Sequence, residues 1–192
     1  MRKLITLLLV LILLISATAG LAEGSAKASG SHILVVVFSC TGNTKPLAEY
    51  AAELLDADLN EIEAAQPYTE ADLAYYTGGR CDQEQDDPDV RPAIANSLES
   101  IDQYDIIIIG HPIWHGQAPR IISTFLESYD FSGKTMTTFC TSMSSGLGSS
   151  ASNLYPLVPD TVTWLDSRRF PAGASKEDIA DWLKSIGMNT AE

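Results

Sequence analysis

The sequence predicts an α/β fold, a doubly wound parallel sheet of five strands with helices on both faces. Ile33 to Phe38 and Ile106 to Ile109 are unbroken apolar runs rich in β-branched residues, the composition of strands buried on both sides. Between and after them, apolar residues recur at helical spacing. Strands alternating with helices of this length mean right-handed βαβ units and a parallel sheet. A chain of 192 residues has room for one such domain.

The elements follow in order. After the first run, Ser39 to Thr44 is a polar turn. Leu47, Tyr50, Ala51 and Leu54 then mark one helix face, with Pro46 in the first turn, where a missing N–H costs nothing. Leu59 to Ile62 reads as a second strand, and residues 64–90 lose clear periodicity. Pro92, Ile94, Ala95, Leu98 and Ile101 predict another helix. Ile106 to Ile109 is a third strand ending at Gly110, and Ile121, Ile122, Phe125, Leu126 and Tyr129 form a helix stripe after Pro119. Thr135 to Cys140 is a strand, Leu147 to Leu154 a short helix, and Thr161 to Leu165 a last strand. Ser175 with Asp178 caps a closing helix whose apolar face is Ile179, Trp182, Leu183 and Ile186.

Charge narrows the function. Twelve Lys and Arg face 25 Asp and Glu, a net charge of −13, which repels nucleic-acid phosphates; no nucleic-acid partner is expected. Arg2 and Lys3 precede an apolar stretch from Leu4 to Ile15, followed by Ala17, Ala19 and Ala22. Residues 1–22 therefore read as a secretory signal peptide, or, if uncleaved, as an anchor that just crosses a membrane through residues 4–22. Residues 23–32 are small and polar, a flexible linker, and the folded domain spans 33–190. The expected location is extracytoplasmic: secreted, periplasmic or membrane-tethered.

In doubly wound folds ligands bind beyond the carboxyl ends of the strands, where strand order reverses. That singles out residues 39–44, 111–117 and 141–148. The first loop offers three hydroxyls, one side-chain amide and backbone N–H groups at a helix N-terminus, which together hold a phosphate without a cation. A Walker loop needs a second Gly before Lys-Ser/Thr, whereas Lys45 is followed by Pro46. A thiol phosphatase built on Cys40 needs Arg six positions on, where Pro46 stands.

Phe38-Ser39-Cys40-Thr41-Gly42-Asn43-Thr44 resembles the FMN-phosphate loop of the flavodoxins. Tyr104-Asp105 through Gly110, Pro112-Ile113-Trp114, Pro119, Phe125-Leu126-Glu127, Ser132-Gly133-Lys134 and Thr141-Ser142 with Ser145-Gly146 are similar to a bacterial branch of that flavodoxin-like family. His115 stands where relatives often carry a second aromatic, and Met143-Ser144 replaces a pair richer in glycine. The likeness spans nearly all of residues 33–187 and implies strand order 2-1-3-4-5 and noncovalent FMN. Ser39, Cys40, Thr41, Gly42, Asn43 and Thr44 would then surround the phosphate. Pro112, Ile113, Trp114, His115 and Gly116 would form the ring loop, with the Trp114 indole against the isoalloxazine and shielding it from water. Gly116 would permit a peptide rotation toward the protonated flavin nitrogen of the one-electron-reduced form. Thr141, Ser142, Ser145 and Gly146 would offer backbone donors to the pyrimidine edge.

Other residues keep two readings. His111 and His115 either supply a proton near the flavin or are polar surface. Tyr75 and Tyr76 either cover the flavin or pack the long connection. Asp82 to Asp89 reads as a solvated face, or as a guide for a basic redox partner protein. With order 2-1-3-4-5 the third strand separates Cys40 from Cys140, so no disulfide joins them; Cys81 is unplaced. Three functions fit: an exported FMN electron carrier, an FMN-dependent NAD(P)H quinone-type oxidoreductase, and a flavin-free binding module on the same fold.

Overall fold

The computed structural model describes residues 31–190, so the expected leader or anchor of residues 1–22 and the linker up to residue 30 lie outside the described residues. Among these, no helix is long and apolar enough to cross a membrane. The chain forms β1 (Ile33–Val37), α1 (Lys45–Leu55), β2 (Asp58–Glu61), α2 (Arg80–Asp86), β3 (Ile106–Pro112), α3 (Arg120–Glu127), β4 (Thr135–Thr141), a 3₁₀ turn (Ser152–Leu157), β5 (Thr163–Trp164), β6 (Arg168–Phe170) and α4 (Lys176–Ser185). The strands pair in parallel in the order β2-β1-β3-β4-β5, as expected.

Alternation along the central strands divides the core in two. Val35, Val37 and Ile108 face α1 and α4, packing with Leu47, Ala51, Ile179 and Trp182. Leu34, Val36, Ile107 and Ile109 face the other way, onto Ile121, Ile122, Phe125 and Leu126 of α3. Each fully buried Ile or Val contributes roughly 1.5–3 kcal/mol, which explains why these runs read so clearly in sequence. Gly110 leaves room for the Phe139 ring on the neighbouring strand: a Cβ there would meet Phe139 Cζ at 2.3 Å. Helix α4 carries the expected capping box. Ser175 Oγ accepts from the Asp178 N–H at 3.1 Å, and Asp178 Oδ2 accepts from the Ser175 N–H at 2.8 Å.

Several expectations are corrected. No helix forms over residues 92–101. Ala64 and Ile94 instead make an antiparallel bridge, the Ala95 N–H donates to the Glu63 carbonyl at 2.7 Å, and the Asn96 side chain binds both the Glu63 N–H and the Glu61 carbonyl. Backbone donors that a helix would have satisfied internally thus find partners on residues 63–65, just past the end of β2. Ile94, Leu98 and Ile101 still reach the α3-side core. Their helical spacing recorded burial and not helix.

Conversely, α2 lies in the stretch without periodicity, and its Asp82, Glu84 and Gln85 are buried, so the start of the acidic segment is not a solvated face. The fifth sheet position is shared by two short pieces, since β5 pairs with Thr135 and Met136 and β6 with Phe139 to Thr141. The short helix expected over 147–154 is a 3₁₀ turn displaced to Ser152–Leu157. Cys40, Cys81 and Cys140 are free thiols, the last two buried.

Candidate functional site

The carboxyl ends of β1, β3 and β4 converge on one cavity of about 360 Å³. Its walls are Ser39, Cys40, Thr41, Asn43 and Thr44 from the first loop, Pro112 to Trp114 from the second, and Thr141 to Ser145 from the third, completed by Leu73, Tyr75 and Ala172. None of these side chains is a carboxylate, Lys, Arg or His.

The first loop turns at Gly42, whose φ of 77° requires glycine's freedom. Gly42 shapes the bend without forming part of the wall. Ser39 Oγ accepts from the Thr44 N–H at 3.4 Å, and Asn43 Nδ2 donates to Thr41 Oγ1 at 3.0 Å, so the loop braces itself. Among the described residues, no protein acceptor meets the N–H groups of Thr41, Gly42 or Asn43. They stand at the N-terminus of the eleven-residue α1, where the helix dipole favours negative charge. The Thr44 hydroxyl is buried and engaged with that of Thr141 at 2.8 Å, so it ties two loops together. Cys40 reaches the surface, yet its sulfur is shielded enough that burial pushes the thiol up to about 11, leaving it protonated at neutral pH.

The second loop departs most from expectation. Trp114 is only 5% exposed, its indole edge-on to Phe38 at 5.6 Å and Tyr68 at 5.1 Å within the α3-side core. It borders the cavity as buried floor. The aromatic that stands free at the mouth is Tyr75, 44% exposed, whose hydroxyl donates to the Ile113 carbonyl at 3.0 Å. His115 and Gly116 are outside the wall. Gln85 of α2 holds the loop from behind, donating to the carbonyls of Trp114 at 3.1 Å and Ala118 at 3.2 Å while accepting from the Arg120 N–H.

Asp82 holds it from the side. Its Oδ1 accepts from the Tyr76 N–H at 3.1 Å and from His115 Nε2 at 2.7 Å, and its Oδ2 from the N–H groups of Thr77 at 2.8 Å and Gly78 at 2.9 Å. Burial raises its pKa, but the donors of Gly78, Tyr76, His115 and Thr77 outweigh that and hold the carboxyl below its ordinary range. His111 is no surface proton donor: it lies in β3, wholly buried, and desolvation lowers it to about 4 against a weak opposing pull from the Pro112 carbonyl.

Of the third loop's expected residues, Thr141, Ser142 and Ser145 line the cavity while Gly146 is outside the wall; the Ser145 N–H donates to Ser142 Oγ at 2.9 Å and the Ser142 N–H to the Phe170 carbonyl at 3.2 Å. Arg169 of β6 donates to the Ser142 carbonyl and anchors the loop's start. Met143 and Ser144, within the third loop singled out from the sequence, also line the cavity, whereas Leu73 and Ala172 join it without any sequence signal.

These features define an α/β protein with a cavity of about 360 Å³ at its switch point. The chain belongs to the flavodoxin family, whose model matches residues 32–186. Among solved structures, a candidate flavoprotein of Bacteroides eggerthii is 41% identical with a TM-score of 0.77, covering 83% of this chain and 99% of its own. A second, from Bacteroides uniformis, is 42% identical with a TM-score of 0.74, covering 81% and 99%. A Lactobacillus acidophilus flavoprotein in complex with FMN shares the fold at 20% identity and a TM-score of 0.58, covering 81% and 98%. No curated protein matches the chain.

Proposed function

We propose that this chain is an FMN-binding electron-transfer protein that works outside the cytoplasm. The observation that carries the reading is the first loop: Ser39, Thr41 and Asn43 line one cavity at a helix N-terminus, and among the described residues no protein acceptor meets the backbone N–H groups of Thr41 and Asn43. Such a cluster of neutral donors suits a phosphate dianion, and 360 Å³ suits the part of a mononucleotide that such a cleft encloses. The Lactobacillus acidophilus structure, solved with FMN on the same fold, supports the choice of ligand.

In this reading Ser39, Thr41 and Asn43 bind the phosphate, Thr44 and Thr141 fix the distance between two loops, and Thr141 to Ser145 meet the polar ring edge. Tyr75 covers the ring from the mouth, and the buried edge of Trp114 excludes water beneath it. Flavin, when bound, supplies the capacity to take up and release one or two electrons. A net charge of −13 repels the phosphates of a pyridine dinucleotide arriving from solvent and suits a basic protein partner instead, which favours a carrier over an NAD(P)H quinone reductase. The charged start, apolar centre and small-residue exit of residues 1–22 support export.

The test is to titrate purified protein with FMN and reduce the product anaerobically while recording the visible spectrum. A carrier takes up FMN, reduces in two resolved one-electron steps and oxidises NAD(P)H slowly. Rapid NAD(P)H turnover with a quinone assigns the reductase, and protein that stays colourless at millimolar FMN defeats both.

A further inference from the structure

Helix α2 interrupts a long connection with no role in the sheet, yet it buries three polar side chains side by side. Glu84 is spent within the connection, accepting from Tyr68 and Arg80 at 2.6 Å each. Gln85 and Asp82 instead reach across to the loop after β3. Asp82 has the unusual partners: three successive backbone N–H groups of the 76–78 turn and, on the same carboxylate, the ring of His115.

Both segments it joins are strained. Tyr76 at φ 60° and His115 at φ 47° are side-chain-bearing residues in the left-handed region, each flanked nearby by a glycine, Gly78 at 72° and Gly116 at 77°. Such conformations are unfavourable for residues with a side chain and persist only where surroundings over-determine them. The carboxylate is what over-determines them here. Its four acceptor sites are all used, so the pairing has one geometry. Held this way, the His115 ring lies 4.7 Å from the Tyr75 ring and 5.3 Å from the Tyr76 ring, and the Tyr75 hydroxyl comes to the Ile113 carbonyl at the cavity wall.

Resting on the reading of the cavity as a flavin site, we infer that Asp82, acting through His115, is the positioning residue that sets Tyr75 over the ring-binding half of the cavity. Asp82 is not part of the wall. It turns two loops that would otherwise relax out of left-handed geometry into a single pre-formed aromatic cover, so that ordering of Tyr75 is complete before ligand arrives.

The experiment compares wild type, Asp82→Ala, His115→Ala and Arg91→Ala in the full chain, the last removing the remote Arg91–Glu127 pair as a control for loss of stability. Flavin fluorescence is followed during titration with FMN, and amide hydrogen exchange is read at Tyr76, Thr77 and Gly78 without ligand. Asp82→Ala and His115→Ala are expected to raise the FMN Kd about tenfold and to restore fluorescence to the bound flavin, because an aromatic held against the ring quenches it and a loose one does not. Asp82→Ala also speeds exchange at Thr77 and Gly78 at least tenfold, while Arg91→Ala matches wild type throughout.

Equal Kd and equal quenching in wild type, Asp82→Ala and His115→Ala overturn the inference, as does the same change in Arg91→Ala. Should Asp82→Ala fail to fold, His115→Ala decides, since it removes only one of the four partners. Wild type that ignores FMN defeats the flavin reading itself and this inference with it, whereas wild type that binds FMN beside variants that bind and quench alike defeats this inference alone.

Discussion

The hydroxyls of Thr44 and Thr141, 97 residues apart in the chain, meet in a buried hydrogen bond of 2.8 Å. This contact joins the end of the first loop to the end of β4 and so sets the width of the cavity between them. Thr44→Val leaves the Thr141 hydroxyl buried without its partner, at a cost of about 1–3 kcal/mol. Thr44→Val with Thr141→Val removes both polar groups and recovers most of that loss. Urea unfolding of the two single variants and the double variant gives the coupling directly, and additive losses would show that the bond carries no stability.

Gly110 and Phe139 form a second cross-strand dependency. A Cβ on Gly110 would lie 2.3 Å from the Phe139 ring in a core with no space to yield, so Gly110→Ala destabilises the fold by about 1–3 kcal/mol or more. Phe139→Leu in the same chain relieves the clash. The double variant is expected to show a higher urea midpoint than the sum of the two single losses allows.

His111 makes stability depend on pH. Its folded pKa of about 4 lies below the ordinary value of 6.5, so between these limits the unfolded chain binds a proton that the folded chain refuses. The contribution of neutral, buried His111 is full above pH 6.5 and is lost as the pH drops through this window, the loss reaching about 3 kcal/mol by pH 4. Unfolding free energies measured from pH 4 to pH 8 should lose this slope in His111→Gln. An unchanged slope would place the titrating group elsewhere.

The first loop should discriminate phosphate from ring. Thr41→Val removes one hydroxyl at the charged end, so FMN affinity falls roughly tenfold or more, the scale of a hydrogen bond to a charged group, while riboflavin affinity stays level. Parallel fluorescence titrations with the two flavins check this. Equal weakening of both would mean that Thr41 acts on the shape of the loop and not on the phosphate.

Where the chain's own pattern succeeded and failed has a physical explanation. The apolar runs at 33–38 and 106–109 are strands because burial on both faces leaves no place for a polar residue, and Ser175 with Asp178 is a cap because it satisfies donors only three residues away. Ile94, Leu98 and Ile101 misled because helical spacing reports which side chains are buried, and an irregular segment bridged to residues just past the end of β2 buries them equally well. The opposite failure is α2. Arg80 to Asp86 carry no apolar stripe, since this helix is held by buried polar groups whose partners lie on other elements.

The same division holds at the cavity. Ser39, Cys40, Thr41, Asn43 and Thr44 were legible as part of the cavity because local hydroxyls, a turn glycine and a helix start are adjacent in the chain. Which aromatic stands at the mouth was not legible. Trp114 and Tyr75 are equally able to cover a flat ligand, and only packing against Phe38 and Tyr68 sends the indole into the core and leaves the phenol outside. Fold class and the cap of α4, together with strand order by resemblance and the loop at 39–44 that leads into α1, were therefore determined by the sequence alone. Properties that depend on competition between distant groups for the same space or the same hydrogen bond, such as the buried polar helix and the choice of Tyr75 over Trp114, were decided by the tertiary structure.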